Sequence, residues 1–124
     1  MHIQGKTFVV TGGSSGLGEA TVRAIVGKGA KVIIFDINER GEAIAKELAG
    51  SVFWPGGTDV ASEDSVLASI EKGVKEFGNI SGVVNCGGIL GMLQKIVSGN
   101  GEPQPLNFFE EVIRVNLIGT FNVC

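Results

Sequence analysis

Hydrophobic and polar positions alternate between two regimes along the chain. Four short runs, Thr7-Phe8-Val9-Val10, Lys31 to Asp36, Ser51-Val52-Phe53-Trp54 and Ile80 to Asn85, are continuously apolar or β-branched and predict buried strands. Between them, apolar residues recur at helical spacing. The first helical stretch covers Glu19 to Lys28, with Leu17, Ala20, Ala24 and Ile25 on its apolar side, and should stop near Gly29. The second follows Asn38 as N-cap, gathers Ile44, Ala45 and Leu48, and ends near Gly50. The third starts at Ser62 with Glu63 and Asp64 in its first turn. It carries Val66, Leu67, Ile70, Val74 and Phe77 as its stripe and ends at Gly78; Gly73 inside it costs about 1 kcal/mol relative to Ala. A fourth opens on Asn107-Phe108-Phe109-Glu110, which has the form of a capping box, and runs to Val123 with apolar residues on nearly all sides. Strands alternating with helices predict an α/β domain built on a parallel sheet.

The first strand and first helix are joined by Thr11-Gly12-Gly13-Ser14-Ser15-Gly16-Leu17-Gly18. Glycines on a strand-to-helix turn suit a phosphate, because the helix start exposes unpaired N–H groups and a partial positive charge. Gly12 fits the tight turn, Gly16 leaves room for a diphosphate and Gly18 lets helix and strand pack closely. The plain alternative is a glycine-rich surface turn. A nucleoside-triphosphate loop counted from Gly13 would need Lys at position 19 and Ser or Thr at 20, where this chain has Glu19 and Ala20. Asp36 ends the second strand about two dozen residues after Gly12, where an acid can accept hydrogen bonds from an adenosine ribose; it is otherwise an acid preceding a helix. Such an acid repels a 2′-phosphate, and Ser15 and Ile37 provide no basic group to offset it.

Composition narrows the picture. The 124 residues are 44% hydrophobic and 19% charged, which fits one folded domain and excludes disorder. No apolar run reaches the length of a membrane span. With net charge −3 and scattered Lys and Arg, no basic face for nucleic acid forms. Cys86 and Cys124 are too few for a disulfide framework and point to a reducing compartment, and strand-like sequence so close to Met1 leaves no signal segment. The expected location is cytoplasmic, or mitochondrial in a eukaryote. His2 is the single histidine, and no His, Cys, Asp or Glu cluster has metal-ligand spacing, so no metal is expected.

The pattern Thr-Gly-x-x-x-Gly-x-Gly at Thr11 to Gly18 resembles the cofactor signature of the short-chain dehydrogenase/reductase family. Asp59-Val60 resembles that family's adenine contact, in which the acid meets the exocyclic amine; it is otherwise a loop acid before a helix. Asn85-Cys86-Gly87-Gly88 resembles the family's Asn-Asn-Ala-Gly motif beside the nicotinamide ribose, with Cys86 and Gly87 departing from it. Cys86 lacks a neighbouring base and reads as structural. Asn116, in Val-Asn-Leu-x-Gly-Thr-Phe-Asn-Val, falls where the family places the Asn of its Asn-Ser-Tyr-Lys catalytic tetrad; otherwise it is a polar residue on a helix interface. The segment from 91 to 106 reads as a long loop, and in the family this region borders the substrate.

The resemblance spans the chain, with similarity to the 3-hydroxyacyl-CoA dehydrogenases of the 17β-hydroxysteroid type. It implies a Rossmann-type, doubly wound parallel sheet of about four strands ordered 3-2-1-4, with helices on both faces. It also implies NAD as cofactor and an alcohol substrate such as an acyl-CoA. The cofactor residues implied are Gly12, Ser14, Ser15, Gly16, Leu17, Gly18, Asp36, Ile37, Asp59, Val60, Asn85, Cys86 and Gly87, with Asn116 catalytic. The family's catalytic Ser and Tyr-x-x-x-Lys would follow Cys124, and the chain contains 0 Tyr. Residues 1–124 therefore read as a dinucleotide-binding domain incomplete at its C-terminus. A fourth strand left as an open edge, an apolar last helix and a mean hydropathy of +0.31 fit a chain that forms a homo-oligomer or pairs with a missing C-terminal half.

Overall fold

The computed structural model describes residues 2–92 and 95–124. Four parallel strands form one sheet: β1 (Thr7–Thr11), β2 (Lys31–Phe35), β3 (Val52–Phe53) and β4 (Ile80–Asn85), in the order β3-β2-β1-β4. This is the predicted order. Side chains alternate across the strands, so Val10, Val32 and Ile34 enter one core and Val9, Ile33 and Phe35 the other. The first core is closed by Val22 of α1 (Gly16–Val26) and Ile44 of α2 (Arg40–Glu47). The second is closed by Val66 of α3 (Glu63–Phe77) and Val123 at the end of the chain. A sheet covered on both faces explains why β1 and β2 are apolar without alternation.

Helix ends follow local chemistry. The Ser62 hydroxyl accepts the Ser65 N–H at 3.3 Å, as a cap should, and Gly78 closes α3. The expected cap Asn38 lies one residue before the N-cap of α2, Glu39, which makes no side-chain cap bond; the Asn38 side chain accepts the Arg40 N–H at 2.9 Å from there. Gly73 has a packing reason: a β-carbon there would lie 2.5 Å from Ile33 Cδ1, so the missing side chain lets α3 rest on β2.

Several expectations are corrected. The apolar face of α1 is Gly18, Val22, Ile25 and Val26; Ala20 and Ala24 face solvent, and Leu17 is 83% exposed. Helical spacing alone does not choose between two such faces when alanines populate both. In α3, the buried side is Val66, Ser69 and Gly73, while Leu67 and Val74 are exposed, because small residues are what the nearby sheet admits. The capping box at Asn107 does not form. The last helical region starts two residues earlier, as α4 (Leu106–Ile113) with Pro105 at the cap position, and the Pro ring presets the entering backbone. That region is also not one helix. A π-helical segment, Arg114–Ile118, separates α4 from α5 (Gly119–Val123). Of the predicted 91–106 loop, Leu93 and Gln94 lie outside the described residues; further on, Val97 and Pro103 form an isolated antiparallel bridge.

Thr11 ties the ends of β1 and β4 together. Its hydroxyl accepts the N–H groups of Cys86, at 3.1 Å, and Gly87, at 2.9 Å. Thr11→Val keeps the shape and strands both donors, which costs about 1–3 kcal/mol per buried group. The urea midpoint should fall accordingly, while Thr11→Ser should stay near the parent value; equal midpoints for the parent and Thr11→Val would show that the two amides do not need the hydroxyl.

Candidate nucleotide-binding cleft

The C-terminal ends of β1, β2 and β4 open onto a cleft of about 570 Å³. Its floor is the glycine turn. The backbone at Gly12 has φ of 62°, and a β-carbon there would sit 2.8 Å from the Gly87 Cα. At Gly18 it would sit 2.0 Å from the Gly12 carbonyl oxygen. Main chain packed directly on main chain thus fixes where α1 begins. Gly16 is different: φ is 51°, and nothing lies within 4 Å of where its β-carbon would be. Its backbone faces open cleft. Ser15, at the N-cap, makes no side-chain cap bond, so the first amides of α1 remain open to an anion.

Asp36 stands at the next strand end, one residue beyond β2, and is held from several sides. Its carboxylate accepts the Ser14 N–H at 3.1 Å and the Asn38 N–H at 3.0 Å. Its carbonyl accepts the Thr58 N–H at 3.0 Å and the Trp54 indole N–H at 3.2 Å. Ile37 beside it is 73% exposed and lines the cleft. Nearby, Arg40 is drawn away by Glu19, at 2.9 Å. The same Glu19 carboxyl is held below its ordinary range, chiefly by the Arg23 hydrogen bond.

The far end of the cleft is lined by Asp59, Val60, Glu111, Arg114 and Val115. Asp59 accepts the Ala61 N–H at 2.9 Å and pairs with Arg114 at 3.5 Å. The Arg114 hydrogen bonds hold the Glu111 carboxyl below the usual carboxylate range. The fold anchors this end through α5, where a β-carbon at Gly119 would lie 2.6 Å from Val60 Cγ2 and Asn122 donates to the Val60 carbonyl at 2.8 Å.

The sequence-predicted residues separate into two groups. Gly12, Ser15, Gly16, Leu17 and Gly18 line the cleft, as do Asp36 and Ile37, Asp59 and Val60, and Cys86 and Gly87. Ser14, Asn85 and Asn116 are not in the lining. Ser14 is fully buried and spends its N–H on Asp36. Asn85 faces Thr11, at 3.5 Å, and the Cys124 sulfur, at 3.4 Å. Asn116, within the π-helical segment, pins the loop after β4: Oδ1 accepts the Ile89 N–H at 2.8 Å and Nδ2 donates to the Ile89 carbonyl at 2.9 Å. Sequence reasoning missed Thr11 as a site support and Glu111 and Arg114 as lining; the position of Arg114, two residues before Asn116, was the available signal. Among the described residues no group of His, Cys, Asp or Glu could hold a metal, and no helix is long and apolar enough to cross a membrane.

Known proteins share this arrangement. The rat 3-hydroxyacyl-CoA dehydrogenase type-2 is 41% identical over 123 residues, covering 98% of this chain and 46% of that protein. The mouse L-fucose dehydrogenase is 38% identical over 122 residues, covering 96% of this chain and 41% of that enzyme. The crystal structure of 3-hydroxyacyl-CoA dehydrogenase type-2 from Mycobacterium avium superposes with a TM-score of 0.87 at 41% identity, covering 96% of this chain and 46% of that one. The chain therefore spans about half the length of the curated relatives it matches. The family model for short chain dehydrogenase matches residues 6–124. By that match and those identities, the chain belongs to the short-chain dehydrogenase family of oxidoreductases.

Proposed function

We propose that this chain is the cofactor-binding part of an NAD-dependent dehydrogenase that oxidises a secondary alcohol, with a 3-hydroxyacyl-CoA as substrate. The observation that carries the cofactor choice is Asp36, a carboxylate locked by Ser14 and Asn38 at the mouth of the cleft. Bound there, NAD would supply the hydride acceptor. The open amides at the start of α1 hold its diphosphate, with Gly16 allowing contact with the main chain. Asp36 accepts from the adenosine ribose hydroxyls and repels a 2′-phosphate. Ile37 and Val60 flank the base and Asp59 accepts from its amine, while Cys86 and Gly87 border the nicotinamide side. Asn116 holds the Ile89 loop against the substrate end. The acyl-CoA assignment draws on the relatives named above. A reducing compartment, cytoplasmic or mitochondrial, suits the two free thiols.

The proton half of the reaction is another matter. The family's mechanism takes the hydroxyl proton with a Tyr, and this chain has none. The edge of β4 away from β1 has no strand partner among the described residues, and Leu117, Ile118 and Phe121 are exposed on the last helices. A further segment or a second copy covering these surfaces completes the reading. The alternative reading is a non-catalytic NAD-binding module with a regulatory or structural role, which would bind cofactor without turnover.

Three outcomes test this. Calorimetric titration should give tighter binding of NADH than NADPH, and Asp36→Ala should narrow the gap; equal or tighter NADPH binding removes the case for Asp36. Gly16→Val should abolish NADH binding while far-ultraviolet circular dichroism stays close to the parent, since the new side chain meets only the ligand; strain from φ of 51° adds about 1–2 kcal/mol of local cost. The 124-residue chain alone should form no NADH from 3-hydroxyacyl-CoA, because losing a positioned acid–base group commonly costs about 10²–10⁴-fold. Full turnover by a monodisperse monomer would sink the incomplete-site reading.

A further inference from the structure

The strand order gives the two halves of a dinucleotide different neighbours. The glycine turn follows β1. Asp36 follows β2 on one side of it, and residues 86–89 follow β4 on the other. A diphosphate on the turn with its adenosine over Asp36 therefore sends the nicotinamide half to the loop after β4.

That loop has few groups with which to hold it. The side chains of Cys86, Gly87, Gly88 and Ile89 contain no oxygen or nitrogen. The Cys86 residue packs against the first core, with its sulfur 4.0 Å from the Thr21 hydroxyl. The N–H groups of Cys86 and Gly87 are taken by the Thr11 hydroxyl. Asn116, outside the lining, takes both the N–H and the carbonyl of Ile89. The charged groups that line the cleft stand on other elements: Asp36 beyond β2, Asp59 beyond β3, and Glu111 and Arg114 on the last helical region, Arg114 being paired with Asp59. A nicotinamide carboxamide needs partners for one carbonyl oxygen and two N–H donors. At this end it meets an aliphatic side chain, Ile89, and backbone whose amides at 86, 87 and 89 are already paired.

The other half is served differently. The first amides of α1 have no side-chain cap, the main chain at Gly16 faces open cleft, and the Asp36 carboxylate is fixed by two backbone N–H groups. Hydrogen bonds that involve a charged group correspond to about 10–100-fold in affinity each, and a diphosphate and a ribose both find such bonds here. A carboxamide that stays hydrated adds nothing of that size.

We propose that this cleft recognises an adenosine 5′-diphosphate unit, to which the nicotinamide half adds little, so that ADP-ribose is a ligand of the chain in its own right and a direct competitor of NADH. The proposal rests on the dinucleotide reading of the cleft and narrows it to one half of the cofactor.

Calorimetric titration of the 124-residue chain with NADH, ADP-ribose and nicotinamide mononucleotide tests it. ADP-ribose should bind within about fivefold of NADH, the equivalent of one ordinary hydrogen bond, and should displace NADH fully. Nicotinamide mononucleotide should show no saturation at about a hundredfold the NADH dissociation constant. An advantage of NADH over ADP-ribose above about fivefold, saturation by the mononucleotide in that range, or ADP-ribose binding that leaves NADH in place overturns the proposal while the dinucleotide reading stands. Binding of neither NADH nor ADP-ribose overturns that reading and the proposal with it.

Discussion

Backbone meeting backbone at the strand ends is the constraint on which the rest of this structure depends. A β-carbon at Gly12 would fall 2.8 Å from the Gly87 Cα and one at Gly18 2.0 Å from the Gly12 carbonyl oxygen, while one at Gly87 would be a tight fit, 3.1 Å from Thr11 Oγ1. This close approach brings the first turn of α1 to the end of β1 and sets the loop after β4 beside it. Thr11 then ties the β1 and β4 ends with one hydroxyl serving two amides. Without that approach, the open amides of α1 would not face the same space as the carboxylates that follow β2 and β3. The cleft is a consequence of three absent side chains.

Asp36 puts a carboxylate at the mouth of the cleft beside the glycine turn, and the structure fixes its orientation from several sides. Two amides hold its oxygens, and Trp54 and Thr58 hold its carbonyl. Trp54 in turn lies against Gly41 of α2, where a β-carbon would come within 2.5 Å of the indole. Asp36 is therefore positioned by the short strand β3 and the helix before it. Its orientation depends on packing at the first core, against which Trp54 lies, and not only on the identity of one acid.

Much of this was legible in the sequence. The glycine turn, the Asp36 position and the Ser62 cap follow from local patterns with a mechanism behind each, while the strand order came from the family resemblance. The helix faces did not: Leu17, Ala20 and Ala24 satisfy helical spacing as well as Val22 and Val26 do, and only the close approach at Gly18 decides which side meets the sheet. Asn107 lost its cap role because Pro105 had already set the backbone for a helix two residues earlier. The π-helical segment has no sequence signature at all, yet it contains both Arg114 and Asn116. Ser14 illustrates a subtler limit. Expected in the cofactor loop, it is buried outside the cleft lining, and its amide is used to hold Asp36.

Binding and chemistry divide unequally along such a chain. The elements that line the cleft all lie within residues 6–124, the stretch that matches the family: the start of α1, the acids after β2 and β3, and the loop after β4. The hydride acceptor is a cofactor and needs only to be held. Proton transfer needs a protein group of matched pKa at the reacting oxygen, and with 0 Tyr the family's group for that task is not in this sequence. In the proposed reading, cofactor affinity and turnover are therefore separable: the first would rest on backbone geometry and two carboxylates, the second on a proton-transfer group brought to the reacting oxygen.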